Sequence, residues 1–600
     1  MSTRDNGLTL IPPPLLSFVE TFASDIRELF PSSSTRVYVT KASSLHSVQD
    51  YVFFTLSSET SHTFADGSPT TEGYEMDITS KGVTIRGSGS KGAFWATRTL
   101  LQGLVLGDGR FPNGVISDQP DWETRGIMLD VGRHWYPISF LKEVCAYASW
   151  FKMSEFHVHL SDNVNPQGHP DAYARFRLRA ENPEFSGLAP HVNETYSRAE
   201  FDDFQQTCAA RGVTPGHALV ITQWKPELAL SGNPTLINLT VPDAIPTIKS
   251  IWKEYLPWIH SKQVSIGADE YDEDLADDYN NFVNTMSEFI GQEANKTIRI
   301  WSTLEPSNRT SVSKRIIKQH WDFSDGDPFG LIHEGYNVIN SEDSVQYIVV
   351  KDAVWNDHGP NGSTVLEAFY TFKEGLPVVA AANWQAASRP GHLTHTQFLQ
   401  AYPILEAVAP GQNLDRRVPS KGPVVVSYDL PTVPTADKGS GVVKDKSGNG
   451  YNAVLEDGVL RTPLGSKGHN YTLRVVTDLP DTETTLLSGP DSSFGTARST
   501  GGLTLAFTSD NITYPLLNYT LPSRISPSTE LIVKGTENRT SVWVNAKFAG
   551  DFVISLDGTE VYMPMAFVAP VKELGGRSIK IQQFTLWNGP QEISEISEYK

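Results

Sequence analysis

Cysteine is nearly missing from this 600-residue chain: Cys145 and Cys208 are the only two. That excludes a disulfide scaffold, and neither has the close Cys or His spacing of a zinc site. Both fall late in expected helices, so one bridge and two buried free thiols are both open. Positive charge is also scarce. Lys and Arg number 49 against 69 Asp and Glu, a net charge of -20, which excludes a nucleic-acid backbone or an anionic membrane as the main partner. No apolar run reaches the ~18 residues of a membrane-spanning helix. The start, MSTRDNGLTLIPPPLLSF, lacks the basic and apolar stretches of a signal peptide.

Against that last absence stand nine Asn-x-Ser/Thr sequons, at Asn193, Asn238, Asn295, Asn308, Asn361, Asn470, Asn511, Asn518 and Asn538. The composition alone gives about four by chance. The excess favours a secreted or a lysosomal or vacuolar protein whose leader is missing from this version.

The length exceeds a single core and implies two to four domains. Residues 1–120 read as a small α/β domain. LLSFVETFASDIREL and SKGAFWATRTLLQGL have helical spacing, while TRVYVT, YVFFTL, YEMDIT and GVTIRG alternate like strands. Residues 121–410 change to short apolar runs separated by helical patterns. The runs are GIMLDV, SEFHVHL, QVSIGADE, TIRIWS, RIIKQHW, YNVINSE and LPVVAAANW, and this alternation predicts a (β/α)8 TIM-type barrel. Residues 424–600 show only short alternating runs and turn clusters such as DKSGNG, which predict a β-sandwich or jelly roll.

In a barrel of this kind, polar residues just past a strand's C-terminal end are where chemistry is built. Asp269 and Glu270 follow the apolar run QVSIGA directly. With 69 acids in the chain, adjacent carboxylates carry little weight alone. Arg133 follows another run and offers a fork of donors to sugar hydroxyls. In SEFHVHLSDN, His157 and His159 share one strand face and read as satisfied core residues, and Asp162 lies just beyond, placed to orient another group. His217 follows a Pro-Gly turn. Trp301, Trp321 and Trp384 each end an apolar run. One such Trp is a core residue, but three at separate strand exits suggest a box for the apolar faces of a sugar ring. No spacing here makes a closed metal site.

Residues Arg125 to Asp162, with Arg-Gly-x-x-Leu-Asp-x-x-Arg-His and then Phe-His-x-His-Leu-x-Asp, resemble glycoside hydrolase family 20, the β-N-acetylhexosaminidases. The resemblance continues through Pro215-Gly216-His217, Ile266 to Glu270, Ile300-Trp301, His320-Trp321 and Asn383-Trp384. The N-terminal segment is similar to that family's accessory domain, so about 400 residues are covered. The β tail is similar instead to concanavalin or laminin-G sandwiches.

The resemblance implies exo-acting, retaining, substrate-assisted hydrolysis of a terminal β-linked N-acetylhexosamine from an oligosaccharide or glycoconjugate, without metal or cofactor. It implies that Glu270 is the acid/base and that Asp269 orients the 2-acetamido group. Arg133 would bind ring hydroxyls, Asp162 and His217 would position Glu270, and Trp301, Trp321 and Trp384 would wall the pocket. Tyr347 would hold the acetamido oxygen. Sugar configuration and oligomeric state are not encoded in these residues.

The chain departs from the family at two places. Only Val213 and Thr214 stand between Gly212 and Pro215, where the family carries about nine residues including the third barrel strand. A strand crossing a barrel needs roughly five residues, so the expectation is a distorted barrel beside His217, or an altered gene product. Val349 stands two residues after Tyr347, where relatives carry a polar side chain; a pocket relaxed there suits release of a disaccharide, as in lacto-N-biosidases. A catalytically impaired, glycan-binding protein is the remaining alternative.

Overall fold

The computed structural model describes residues 5–31, 36–42, 48–57, 61–162, 174–218, 224–303, 307–343, 365–385, 394–430, 441–479, 481–509, 512–522, 528–536, 538–555, 562–576 and 580–596. The chain divides into two compact units, 1–349 with 371–412, and 350–370 with 413–600.

The first unit opens with helix α1 (Leu15–Leu29), which buries Phe18, Phe22 and Ala23 along one stripe. Strands β1 (Tyr51–Leu56), β2 (Tyr74–Thr79), β3 (Gly82–Gly87) and β4 (Gly114–Asp118) form a sheet in the order β1-β3-β2-β4. In β2 the alternation is clean: Tyr74, Met76 and Ile78 are buried, and the residues between are not. Helix α2 (Ser90–Leu106) packs on α1 and this sheet. The run TRVYVT, expected as a strand, is irregular over its described residues 36–40; its β-forming side chains find no partner strand, and propensity alone does not hold a strand.

Next come β5 (Gly126–Asp130), α3 (Ile138–Trp150), β6 (Glu155–His159), α4 (Arg198–Ala209) and β7 (Thr214–Ala218). A short hairpin of β8 (Ala229–Leu230) and β9 (Asn233–Ile237) precedes α5 (Ala244–Tyr255). Then follow β10 (Gln263–Ser265), α6 (Ala276–Ala294), β11 (Thr297–Trp301), β12 (Ile317–His320), α7 (Pro328–His333) and β13 (Asn337–Asn340). Seven of these strands form one sheet, β13-β12-β11-β10-β7-β6-β5, and every pairing in it is parallel. All seven C-terminal ends therefore lie on one rim. Buried Glu72 accepts from Trp95 Nε1 (2.9 Å) and from Arg125 (2.6 Å) and pairs with Lys91 (3.1 Å). Arg125 precedes β5, so this network fastens the small domain to the opposite, N-terminal end of the sheet.

Two expectations about the barrel are corrected. First, the third strand is present. Thr214-Pro215-Gly216-His217-Ala218 forms β7 and pairs with all five residues of β6, from Glu155↔Thr214 to His159↔Ala218. Pro215-Gly216, expected as a turn, lies inside this strand, where the register satisfies the backbone of buried β6. Pro215 removes one donor from the ladder, and β10 joins β7 only at Ser265↔Ala218. A side chain at Gly216 would stand 2.9 Å from Glu155 Oε1, so glycine leaves room for the buried Glu155–Arg299 pair inside the sheet.

Second, LPVVAAANW, expected as a strand, lies in the helix Gly375–Trp384. Three consecutive alanines favour a helix, and Pro377 falls in its first turn, where no donor is lost. A short apolar run cannot be assigned by periodicity alone. No eighth strand joins the sheet among the described residues.

Cys145 in α3 and Cys208 in α4 form a disulfide with Cα atoms 5.3 Å apart, which closes the choice the sequence left open. The second unit is a β-sandwich. Its six-stranded sheet, from Val424–Asp429 to Lys547–Asp551, and its eight-stranded sheet, from Gly441–Val443 to Ile512–Pro515, are antiparallel. Val426, Leu473 and Val533 from one and Leu487, Phe494 and Phe507 from the other share one apolar core.

Candidate active site

Strand β10 ends in a strained turn. Gly267, Ala268 and Glu270 have φ of 71°, 62° and 52°. Glycine adopts this left-handed conformation freely, but alanine and glutamate do so at a cost of roughly 1–2 kcal/mol each. The surrounding contacts hold the turn in place. Trp301 N–H donates to Gly267 O (3.1 Å), and Tyr279 OH donates to Ala268 O (2.9 Å). Tyr271, the next residue, donates its OH to Ile237 O (2.8 Å) and stacks on Tyr279. Asp269 and Glu270 are thereby presented at the rim with their side chains open to solvent. Backbone strain maintained against its cost marks functional turns.

Two strand positions away, the ends of β5 and β6 meet. Asp130 and His159 are paired residues at those ends. Arg133 bridges two carboxylates, with Nη1 2.9 Å from Asp130 Oδ2 and Nη2 2.9 Å from Asp162 Oδ2. His159 Nε2 lies 2.6 Å from the same Asp162 oxygen. Burial alone would lower the proton affinity of Arg133 and His159, but the facing carboxylates outweigh it and raise both. Asp130 is held below the usual carboxylate range: burial opposes this, and His159 and Arg133 overcome it. Ligand atoms of Asp130, His159 and Asp162 lie within 4.8 Å of one another, and the Arg133 guanidinium already pairs with both of the carboxylates.

This cluster reaches Asp269 electrostatically. Crowding by protein atoms pushes the Asp269 carboxyl up to about 6, Asp162 and Glu270 add to the rise, and His159 opposes it. Asp269 also strengthens the charge of Arg133. The acid pair, Arg133, His159 and Asp162 therefore form one coupled site.

Trp301 at the end of β11 is 6% exposed. Trp321, just past β12, donates Nε1–H to Ser302 O (2.8 Å), and Ser302 N–H donates to Gln319 O. Both indoles stand on the same rim as the acids. Trp384 does not. Its Nε1–H donates to Asp118 Oδ2 (2.9 Å), Lys152 lies 4.0 Å over its ring, and Arg125 lies 5.2 Å away. Those residues adjoin the N-terminal ends of β5 and β6, so Trp384 belongs to the packing beneath the sheet, where the helical course of residues 375–384 carries it. Tyr347 and Val349 fall outside the described residues, as does the side chain of His217.

Asp130 and His159 are the site residues that sequence reading missed. The signal lay in the motif itself: both close an alternating strand, Met128/Asp130 and His157/His159, at equivalent positions of neighbouring parallel strands.

Comparison with known proteins gives this geometry its context. Residues 122–394 match the family model "Glycosyl hydrolase family 20, catalytic domain", and residues 22–119 match "Glycosyl hydrolase family 20, domain 2". The chain belongs to glycoside hydrolase family 20. A β-N-acetylhexosaminidase of Cellulomonas fimi is 25% identical over 303 residues, 47% of this chain and 60% of that protein. A β-hexosaminidase of Akkermansia muciniphila is 27% identical over 202 residues, 31% of this chain and 41% of that protein. A lacto-N-biosidase of Bifidobacterium bifidum is 22% identical over 311 residues, 46% of this chain and 26% of that protein. The chain thus spans from a quarter to three fifths of these relatives' lengths. Among solved structures, β-N-acetylhexosaminidase from Bacteroides fragilis superposes with a TM-score of 0.51 at 17% identity, covering 68% of this chain and 94% of that one. Streptomyces plicatus N-acetyl-β-hexosaminidase gives 0.51 at 17%, covering 68% and 91%. At this identity the likeness is one of fold, a TIM-type barrel with additional domains. This family 20 chain carries its acid pair on that fold's C-terminal rim.

Proposed function

We propose that this family 20 protein is an exo-acting, retaining β-N-acetylhexosaminidase using substrate-assisted catalysis. The observation that carries the reading is the strained exit of β10, which presents Asp269 and Glu270 side by side with Asp269 coupled to the Arg133–Asp162–His159 cluster. In the proposed course, the sugar's 2-acetamido oxygen attacks its own anomeric carbon while Glu270 protonates the leaving oxygen. Asp269, anionic above about pH 6, accepts the acetamido N–H and stabilises the cyclic cation. Glu270 then takes a proton from the water that opens the intermediate. Two adjacent acids serve different roles only if their environments separate their protonation. Here the roles require Asp269 anionic while Glu270 holds a proton, and the crowding and Asp162 charge that favour protonated Asp269 set the lower pH bound of that state.

Arg133 binds hydroxyls at the non-reducing end, which limits cleavage to terminal residues. Asp162 orients the pocket through His159 and, by resemblance, His217. Trp301 and Trp321 wall it, and Tyr347 holds the acetamido oxygen. The roles need no metal or cofactor, and the substrate is an N-acetylhexosamine-bearing oligosaccharide or glycoconjugate. Domain limits of 1–120, 121–410 and 424–600 suit an accessory, a catalytic and a sandwich module.

We also propose a secreted, lysosomal or vacuolar glycoprotein. The Cys145–Cys208 bridge supports an oxidising compartment, and Asn193, Asn295, Asn308, Asn518 and Asn538 are solvent-exposed sequon positions. Among the described residues no helix is long and apolar enough to cross a membrane.

The deciding assay compares 4-nitrophenyl N-acetyl-β-glucosaminide, its galacto isomer and the lacto-N-bioside with wild type and Glu270→Gln. Monosaccharide release that falls at least about 100-fold in the variant supports the proposal. Disaccharide release alone would favour the lacto-N-biosidase alternative, and no turnover on any of the three would overturn the enzyme reading.

A further inference from the structure

We infer that Arg177, which none of the roles above uses, is a positioning residue that sets the grip of Arg133 on the sugar; the inference rests on the reading of Arg133 given above. Arg177 is fully buried. Its Nε donates to Val131 O (2.5 Å) and its Nη2 to Gly132 O (3.0 Å), the two carbonyls immediately before Arg133. Its own backbone N–H donates to Leu160 O (3.0 Å), two residues before Asp162. One residue therefore ties together the two loops whose side chains meet in the Arg133–Asp162 pair. Neighbouring contacts complete the tie: Arg175 N–H donates to Gly132 O, and Tyr196 OH donates to Tyr136 O (2.6 Å). On the other side, Arg177 Nη1 reaches Glu194 O (3.2 Å) and the Glu194 carboxylate (3.4 Å).

The chemistry requires arginine at this position. Lysine carries the same charge but cannot fork onto two adjacent carbonyls. With one carbonyl released, the 131–133 turn gains freedom, and the guanidinium that should meet the sugar spreads over several positions. Misplacement of about 1 Å in such a group costs up to about 100-fold in rate. A generic packing role would lower stability without altering how Arg133 acts.

The test is a double-mutant cycle on full-length protein with 4-nitrophenyl N-acetyl-β-glucosaminide. Arg177→Lys is expected to lower kcat/KM about 10-fold, chiefly through KM, while its melting curve stays cooperative. In an Arg133→Ala background the same change should cost less than about 2-fold, because there is no grip left to misplace. Glu194→Gln, which loosens the far side of Arg177, should show a smaller loss with the same dependence on Arg133. Equal losses in both backgrounds, or a loss confined to stability, would overturn the inference. If wild type shows no turnover, the activity proposal fails first, and the same cycle is read in calorimetric binding of N-acetylglucosamine. Absence of binding as well would overturn both.

Discussion

Replacing Asp269 with asparagine should make the protein more stable above pH 6 while removing its activity. In the folded protein the Asp269 carboxyl titrates at about 6, against 3.8 for an unperturbed group. Between those values the folded state holds a proton that the unfolded chain has released, so stability falls as pH rises through the window. Below it the two states are equally protonated and the penalty vanishes; above about pH 6 it is complete. Taken at face value the shift corresponds to about 3 kcal/mol. The side chain is open to solvent, however, and screening reduces the figure to about 1 kcal/mol. The amide that replaces the carboxyl would carry no charge at any pH. The stability of Asp269→Asn relative to wild type should thus rise by about 1 kcal/mol from pH 4 to pH 7, a change of roughly 2 °C in Tm. Calorimetry at one-unit pH steps, paired with hydrolysis assays, reads both. A difference independent of pH, or one that falls towards neutrality, would refute the argument that crowding, Asp162 and Glu270 together raise the Asp269 carboxyl.

The same electrostatics predict the acid limb of kcat/KM near pH 6, and Asp162→Asn, which removes the like charge that raises Asp269 most, should move it down to about 5; an upward shift would contradict the assignment. Ala268→Gly relieves a φ of 62° but adds freedom to the unfolded chain, so stability should hold within about 1 kcal/mol. Its kcat should nevertheless fall about 10-fold as the acid pair loses its rigid exit, and unchanged kcat would mean the strain is incidental. Cys145→Ser opens a bridge spanning 63 positions, and loop entropy puts the loss at ~4 kcal/mol. A Tm unaffected by the substitution, or by reductant on wild type, would show that the bridge does not constrain the unfolded chain.

Local patterns carried most of the fold. The alternation of Tyr74, Met76 and Ile78 located β2, the apolar stripe of α1 located that helix, and the short runs followed by Arg133, Asp162 and Asp269 located the rim. These assignments depend on period and on side-chain chemistry, which the sequence states outright. The failures share one cause, competition between local preference and distant partners. Pro215-Gly216 reads as a turn, yet Thr214 to Ala218 forms a strand because β6 needs a neighbour along its whole length. Residues 376–384 read as a strand, yet they lie in a helix that carries Trp384 beneath the sheet, away from the acids. The acid pair was visible in sequence, but what makes it a site was not. The Asp269 carboxyl is pushed up to about 6 by the protein atoms crowded round it and then by Asp162, more than 100 positions earlier, which comes to the same rim. Arg133 and Asp162 face each other because Arg177 holds both their loops. Sequence by itself determined which groups were available and the period of each element. Tertiary structure decided which charges share one small volume, since Coulomb energy and hydrogen-bond geometry depend on distance in space and not along the chain.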